Sequence, residues 1–592
     1  MLAVAGYAAL AVALSWPLAA HLTTALPGYP NVDAMDTLTL RGLVAQMLRH
    51  PGDWPWSEGV YFPAGYPVGQ LTPNLLDHAL GAPFALSLPF PLGDNLWWLA
   101  VMTANGLAGH HLGRQLGGSH GAGALMGVGW ACADPLLREL NLLHAPQSLM
   151  PWTPLYLGAL MRALGDQGRL RDGAMAGLWM GLSGLTYWYQ VLFLAFGTAP
   201  LAAWRLWRRP AAAKPFGVAV LTATLVAAPL LIPMLRGWEA LPLADPAFAP
   251  APLDMRAALE PIPEGLRFVV EQSAPLGFPF QSGPLDRSNR VSLVLLAAAG
   301  VVLWRRRPEG WGAIVAMAGV GAVFALGPYL KLGEDPLLLG GRPLALPFRW
   351  LGALHPFLER LTWPQRWGML IPLGLGALAC RAPRPWLWVP AVVLEALLLS
   401  GNAPLQTQDV RDLEPWRVLS AASGAVIELP LAREGLDAPL VGLHARYHRR
   451  PMVNPMLLPP GAALPEGWRD WVAAQPLMVY LQSFEEGRYP PDPGPDAVRT
   501  MQEAGVAAIA LDALPGSVIT EGVVNRYVTG LGRHLGPPQD HGALFVWWLQ
   551  PPTRAVTPLS DGAAWREAVH RRRVLNPPAP LDTLIEPLDD RR

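Results

Sequence analysis

Residues 2–20 read LAVAGYAALAVALSWPLAA, nineteen positions without a charged side chain. A helix needs about 20 residues to cross about 30 Å of hydrocarbon, so this run has the length of a membrane span. It lacks a basic start and a clear small-residue cleavage site, which favours a retained first helix over a cleaved signal peptide. The rest of the chain has the matching composition. Hydrophobic residues make up 52% and charged residues 15% of the 592 positions, against roughly 25% charged in an average soluble domain. Twenty-five Trp suit membrane interfaces, where the amphipathic ring sits at headgroup depth. Lys+Arg and Asp+Glu both total 44, so no charge excess points to nucleic acid as a partner. Cys132 and Cys380 lie in apolar runs, where a thiol behaves as a small hydrophobe; neither a disulfide nor a zinc site is expected.

Further apolar stretches at 93–112, 119–134, 146–163, 173–186, 188–204, 216–235, 290–304, 311–327, 367–380 and 385–401 predict about eleven transmembrane helices, several of them short. Hydrophilic segments lie between them at 21–91, 236–289 and 328–366. Basic residues near span ends stay preferentially on the cytoplasmic side. In the short connections, Arg114, Arg162, Arg169, Arg171, Arg205, Arg208, Arg209, Lys214, Arg305, Arg306, Arg307, Arg381 and Arg384 fall on one side, and Arg138 alone on the other. The N-terminus is therefore expected inside, with the long loops and everything after residue 402 outside, in a bacterial cytoplasmic (inner) membrane. The division expected is a transmembrane domain over 1–401 and a soluble extracytoplasmic α/β domain over 402–592. In the latter, 425–429, 506–511 and 543–549 read as strands, with helices at 497–504 and 524–535. No G-x-x-x-x-G-K-[ST] or G-x-G-x-x-G loop is present, so neither an ATP-driven pump nor a nucleotide-sugar fold has its phosphate cradle.

Chemistry is most legible after the first span, in Pro30-Asn31-Val32-Asp33-Ala34-Met35-Asp36-Thr37-Leu38, which leads into an amphipathic helix over 35–48. Carboxylates three apart share one side of a helix, so Asp33 and Asp36 can face one cavity. One would serve as general base while the other holds a divalent cation, Mg or Mn, or stabilises the base. The structural alternative makes Asp33 a helix cap and Asp36 a first-turn anion. Substrate-binding candidates are Tyr61, Asp77 and His78 further along the same loop, and His144, Gln147, Tyr187, Tyr189 and Gln190 at the outer ends of spans, where a substrate entering from the outer leaflet would meet them. Arg360 and Arg366 could clamp a lipid phosphate or anchor the tenth span. Glu395 is the clearest ionisable residue inside an apolar run, whereas ion-coupled transporters usually need several.

The order of these parts resembles the C-type (GT-C) membrane glycosyltransferases, and in particular uncharacterised bacterial members. It is carried by Ser15-Trp16-Pro17-Leu18, Val32-Asp33-Ala34, Tyr61-Phe62-Pro63-Ala64-Gly65, Asn141-Leu142-Leu143-His144-Ala145-Pro146-Gln147, Leu326-Gly327-Pro328-Tyr329-Leu330, Leu346-Pro347-Phe348, the Arg360 to Arg366 segment and Val426-Ile427-Glu428-Leu429-Pro430. The resemblance implies inverting transfer of a sugar from a polyprenyl-phosphate-linked donor to a glycan, lipid or protein acceptor on the outer face. It makes Asp33 the best match to the family's first-loop acid, with Asp36 second; Val32 stands where a Gly is commoner. A lipid or polysaccharide transporter and an inactive envelope-assembly scaffold are the competing functions.

Overall fold

A computed structural model describes residues 1–28, 32–49, 56–57, 59–67, 74–240, 264–277, 290–305, 307–333, 335–354, 358, 361–410, 414–431, 440–454, 465–485, 492–512, 521–541 and 544–558. Its main helices in chain order are α1 (Leu2–Leu14), α2 (Val32–Arg49), α3 (Leu75–Ser87), α4 (Leu92–Gly117), α5 (His120–Ala131), α6 (Asp134–Asn141) and α7 (Trp152–Ala163). There follow α8 (Leu170–Thr186), α9 (Trp188–Arg208), α10 (Ala213–Ala240), α11 (Leu293–Arg305), α12 (Trp311–Ala325), α13 (Leu370–Ala379), α14 (Val389–Leu399) and α15 (Leu440–His448). Each stretch read as a span is helical over most of its length. Among the described residues one helix, over Pro210–Leu230, is long and apolar enough to cross a membrane by itself; Leu2–Leu14, Leu293–Arg305, Trp311–Ala325 and Pro385–Leu399 are shorter apolar helices.

The chain divides into two compact units, a helical one of Met1–Pro30 with Thr72–Val410 and an α/β one of Asn31–Leu71 with Arg411–Arg592. The boundary expected at 402 therefore moves to 410, and residues 31–71 leave the span-bearing part. In the helical unit, helices are turned and joined by local signals. Gly118 ends α4 in the left-handed region, at φ 70°, where a side chain would be strained. Ser119 then caps α5 by accepting from the Ala122 N–H. Close pairing comes from small residues: a Cβ on Gly109 would meet Gly127 Cα at 2.9 Å, and one on Gly181 would meet Val226 of α10 at 2.6 Å. Such small residues let the backbones of pairs like α4–α5 and α8–α10 approach closely.

In the α/β unit four strands, β1 (Ala425–Leu429), β2 (Val506–Asp512), β3 (Gln539–Asp540) and β4 (Leu544–Trp548), form one sheet in the order β3-β4-β2-β1. β1 and β2 run parallel, and β4 is antiparallel to both of its neighbours. Every residue of β1 and β2 is buried, which is why both read as near-continuous apolar runs, broken by Glu428 and ended by Asp512, instead of alternating ones. The core of this sheet includes Leu40, Leu43, Val44 and Met47 of α2 with Ile427, Leu429, Met452 and Val453. Those four α2 positions recur at helical spacing, so the helix offers one apolar stripe and this unit covers it.

Candidate functional site

Helix α6 opens Asp134-Pro135; proline is tolerated there because the first N–H groups of a helix have no intrahelical acceptor. The helix carries Arg138 and Glu139, both buried, into the interior of the helical unit. Arg138 Nη2 donates to Glu139 Oε1 at 2.6 Å, and His144 Nδ1 lies 2.8 Å from Oε2. Arg366, just ahead of α13, donates Nε to Oε1 at 3.1 Å and Nη1 to the Tyr187 hydroxyl at 2.6 Å. Its guanidinium also lies 4.7 Å from the Trp363 ring centre. Burial alone would raise the Glu139 carboxyl. Arg366, Arg138 and the His144 hydrogen bond outweigh it and hold the group well below the usual carboxylate range.

Aromatic contacts lead away from this cluster. Tyr187 meets Tyr189 at 4.9 Å between ring centres, and Tyr189 meets Trp188 at 4.1 Å. Trp188 stands at one end of a cavity of about 600 Å³ that α7, α8, α9 and α10 enclose, with Leu206 and Phe216 towards the other end. From Trp188 to Leu206 the helix rises about 27 Å, close to the hydrocarbon thickness of about 30 Å. The walls are made shallow by Gly181, Gly184, Ala199, Ala203, Ala219 and Ala223. Lining hydroxyls are used internally: Thr198 bonds Tyr156 at 2.9 Å and Thr224 donates to Val220 O at 3.0 Å. The groove thus suits a long hydrocarbon. Val220, 52% exposed, lies at its open side.

Of the residues picked from sequence, His144, Tyr187, Tyr189 and Arg366 come together here. Gln190, in the same turn as Trp188, is fully buried, and neither of its amide atoms has a hydrogen-bond partner among the described residues; nor has Gln147 Oε1. An unpaired buried amide costs about 1–3 kcal/mol, which makes Gln190 a candidate donor and acceptor for an occupant. Asp77 and His78 are buried on α3, where Asp77 accepts from Trp97 Nε1 at 3.0 Å and lies 3.6 Å from His78. Tyr61 is buried in the core of the α/β unit, its ring packed 5.2 Å from Tyr66 and 5.6 Å from Trp468. Arg360 lies outside the described residues. Asp33 and Asp36 are in the first turns of α2, which starts at Val32, earlier than expected, so Asp33 is inside the helix and not its cap. Their side chains lie outside the described residues. Among the described residues no group of three or more His, Cys, Asp or Glu is placed to hold a metal.

Sequence reading missed Glu139. The available signal was a lone carboxylate between Arg138 and His144 in a connection otherwise rich in leucine. Glu395, singled out as an ionisable group in an apolar run, caps α11: its carboxylate accepts from Leu293 N at 2.7 Å, Val294 N at 3.2 Å and Ser292 Oγ at 2.5 Å. The α/β unit has a buried network of its own. Glu428 Oε2 lies 2.8 Å from His444 Nδ1 and Oε1 lies 3.4 Å from His448 Nε2, while His444 stacks on Trp416 at 3.7 Å. Burial, with Arg450 beside it, pushes the His448 imidazole down to about 3.

No family model and no curated protein matches the chain. Among solved structures it matches the arabinofuranosyltransferase AftD from Mycobacteria over 98% of its own length and 42% of that chain, at 16% identity and a TM-score of 0.52. The chain thus spans less than half of AftD. Matches at lower scores are AglB from Archaeoglobus fulgidus in complex with an inhibitory peptide and a dolichol-phosphate (TM-score 0.41, 12% identity, 86% of this chain and 69% of that one) and ArnT from Cupriavidus metallidurans bound to undecaprenyl phosphate (0.40, 14%, 94% and 99%). The chain thus shares a fold with the matched part of AftD over nearly its whole length.

Proposed function

We propose that the chain is a membrane glycosyltransferase that moves a sugar from a polyprenyl-phosphate donor to an acceptor on the extracytoplasmic face of a bacterial cytoplasmic membrane. The observation that carries this is the apolar groove of about 600 Å³ beginning at Trp188, which adjoins the aromatic run leading to Arg366. A polyprenyl chain fills the groove and presents its phosphate towards Arg366, Tyr187 and the free amide of Gln190. The chain crosses the membrane about eleven times, as its apolar stretches and basic connections indicate. Asp33 takes the proton from an acceptor hydroxyl. The oxygen displaces polyprenyl phosphate at the anomeric carbon with inversion, and Asp36 is the neighbouring carboxylate that orients the base or would hold a divalent cation with it. A donor delivered by lipid needs no nucleotide cradle.

The test is transfer of label from a radiolabelled polyprenyl-phosphate sugar pool to endogenous acceptors in membranes, with wild type, Asp33→Asn and Asp36→Asn at matched protein levels. Loss of a base slows transfer about 100-fold or more. Such a loss in one variant identifies the base. Equal labelling in all three overturns the reading in favour of a lipid or polysaccharide transporter.

A further inference from the structure

We infer that the α/β unit is the mount of the catalytic helix, and that Arg446 is the positioning residue which sets where Asp33 and Asp36 stand. The inference rests on the transferase reading above. Helix α2 belongs to the α/β unit, and its apolar stripe is buried in that unit's core. A stripe of leucine, valine and methionine fixes which face is turned inward but tolerates sliding and slight rotation, because apolar contact is non-directional. Something directional is needed to fix the helix along its axis.

Arg446 supplies it. Its Nη1 donates to the backbone carbonyl of Leu38 at 3.2 Å, 408 residues away in sequence. The stem of the same side chain lies across Gly42: a Cβ there would meet Arg446 Cγ at 2.5 Å and Cδ at 2.7 Å. Glycine in a helix interior weakens the helix relative to alanine, so local propensity gives no reason for Gly42. The notch it leaves for the arginine stem does. Leu38 lies five residues from Asp33, about 7.5 Å along the axis, so a pin at Leu38 holds the first turns of α2 directly.

The pin is itself anchored. Arg446 lies on α15 between His444 and His448, and both imidazoles reach the Glu428 carboxylate of β1. The Glu428 backbone is clamped in turn by Asn454, whose Oδ1 accepts from Glu428 N at 2.7 Å and whose Nδ2 donates to Glu428 O at 2.6 Å. The buried sheet thus holds α15, and α15 holds α2. The role of the α/β unit is then to carry the acid-bearing helix, independently of any acceptor it binds.

The test is a double-mutant cycle on the full chain, with Gly42→Ala, Arg446→Ala and the pair together, read by label transfer and by amide hydrogen exchange over residues 37–45. Loss of a charge-assisted hydrogen bond predicts about tenfold slower transfer and about tenfold faster exchange in each single variant. The pair should be no worse than Arg446→Ala, because the three atoms nearest the added methyl all belong to the stem which that substitution removes. Gly42→Ala raises intrinsic helix propensity, so faster exchange in that variant reports lost docking and not a weakened helix. Arg446→Lys, which keeps the stem and one donor, should recover part of both signals. Single effects that multiply in the pair, or exchange unchanged in Arg446→Ala, overturn the inference. Wild-type transfer in both single variants beside an inactive Asp33→Asn overturns it too, while leaving the transferase standing. A wild type that moves no label removes the transferase reading and the catalytic half of this one, and exchange then decides whether Arg446 pins the helix.

Discussion

Glu139 in the helical unit and Glu428 in the α/β unit are both buried glutamates, yet their partners differ in kind. Arginines and a histidine surround Glu139, whereas Glu428 has two histidines within 3.4 Å. A guanidinium keeps its charge at any pH a cell meets, while imidazole changes charge in the physiological range. The first network is therefore a permanent fixture around Tyr187 and Arg366, and the second is one that pH can loosen. In the helical unit the network borders the proposed donor site. In the α/β unit it holds up a helix.

The largest effect that would break this contrast is Arg366→Met. It leaves Glu139 buried with Arg138 as its remaining guanidinium, and removing one partner of a buried ion pair costs about 3–5 kcal/mol. Denaturation of the detergent-solubilised chain measures it. A loss under about 1 kcal/mol would mean that Arg138 and His144 suffice, and that Arg366 is free for other work.

The next effect is smaller and depends on pH. His448 is held near 3 in the folded chain against an ordinary imidazole value of about 6.5. Its folded value is depressed, so the unfolded chain binds the extra proton between those limits, and stability falls as pH drops below about 6.5. From pH 7 to 5 the loss is about 2 kcal/mol, read as amide exchange of β2. His448→Gln should flatten that dependence. Glu139, also depressed, acts in a lower window: its contribution is present above the ordinary carboxylate range and is lost only as pH falls through its folded value. A helical unit that weakened equally from pH 7 to 5 would erase the distinction between the networks.

How much of this could be read from sequence differs between the same two regions. The sheet strands were legible because β1, β2 and β4 are short apolar runs bounded by Gly, Pro and charged residues, and that pattern needs no distant partner. The apolar stripe of α2 was legible too, but its destination was not. Leu40, Leu43, Val44 and Met47 specify a face, and nothing in their spacing says that a sheet nearly four hundred residues later covers it. Gly42 is the sharper case, since its reason is a side chain 404 positions on. At the candidate site, His144, Tyr187 and Arg366 were each visible as polar groups at span ends. Their convergence on Glu139 was not, because three separate segments supply it and no local rule links them. The groove was hidden for the opposite reason: the glycines and alanines that open it, like the leucines and valines beside them, read as ordinary span residues.

A third buried carboxylate sharpens the comparison with the smallest effect. Glu395 has Arg290 Nη2 at 3.4 Å, but its shorter contacts are the Leu293 and Val294 N–H groups and the Ser292 hydroxyl. It is held chiefly by a helix terminus, where unsatisfied N–H groups and the aligned dipole favour an anion. Glu395→Gln keeps one carbonyl acceptor for that terminus and turns the other oxygen into a donor that faces donors. A cap of this kind contributes about 1 kcal/mol, so the variant should lose about that much in the same denaturation experiment. A loss above about 3 kcal/mol would place Glu395 with Glu139, as a charge whose main partner is an arginine. A loss near 1 kcal/mol separates the three glutamates by the groups that hold them: guanidinium, imidazole and backbone.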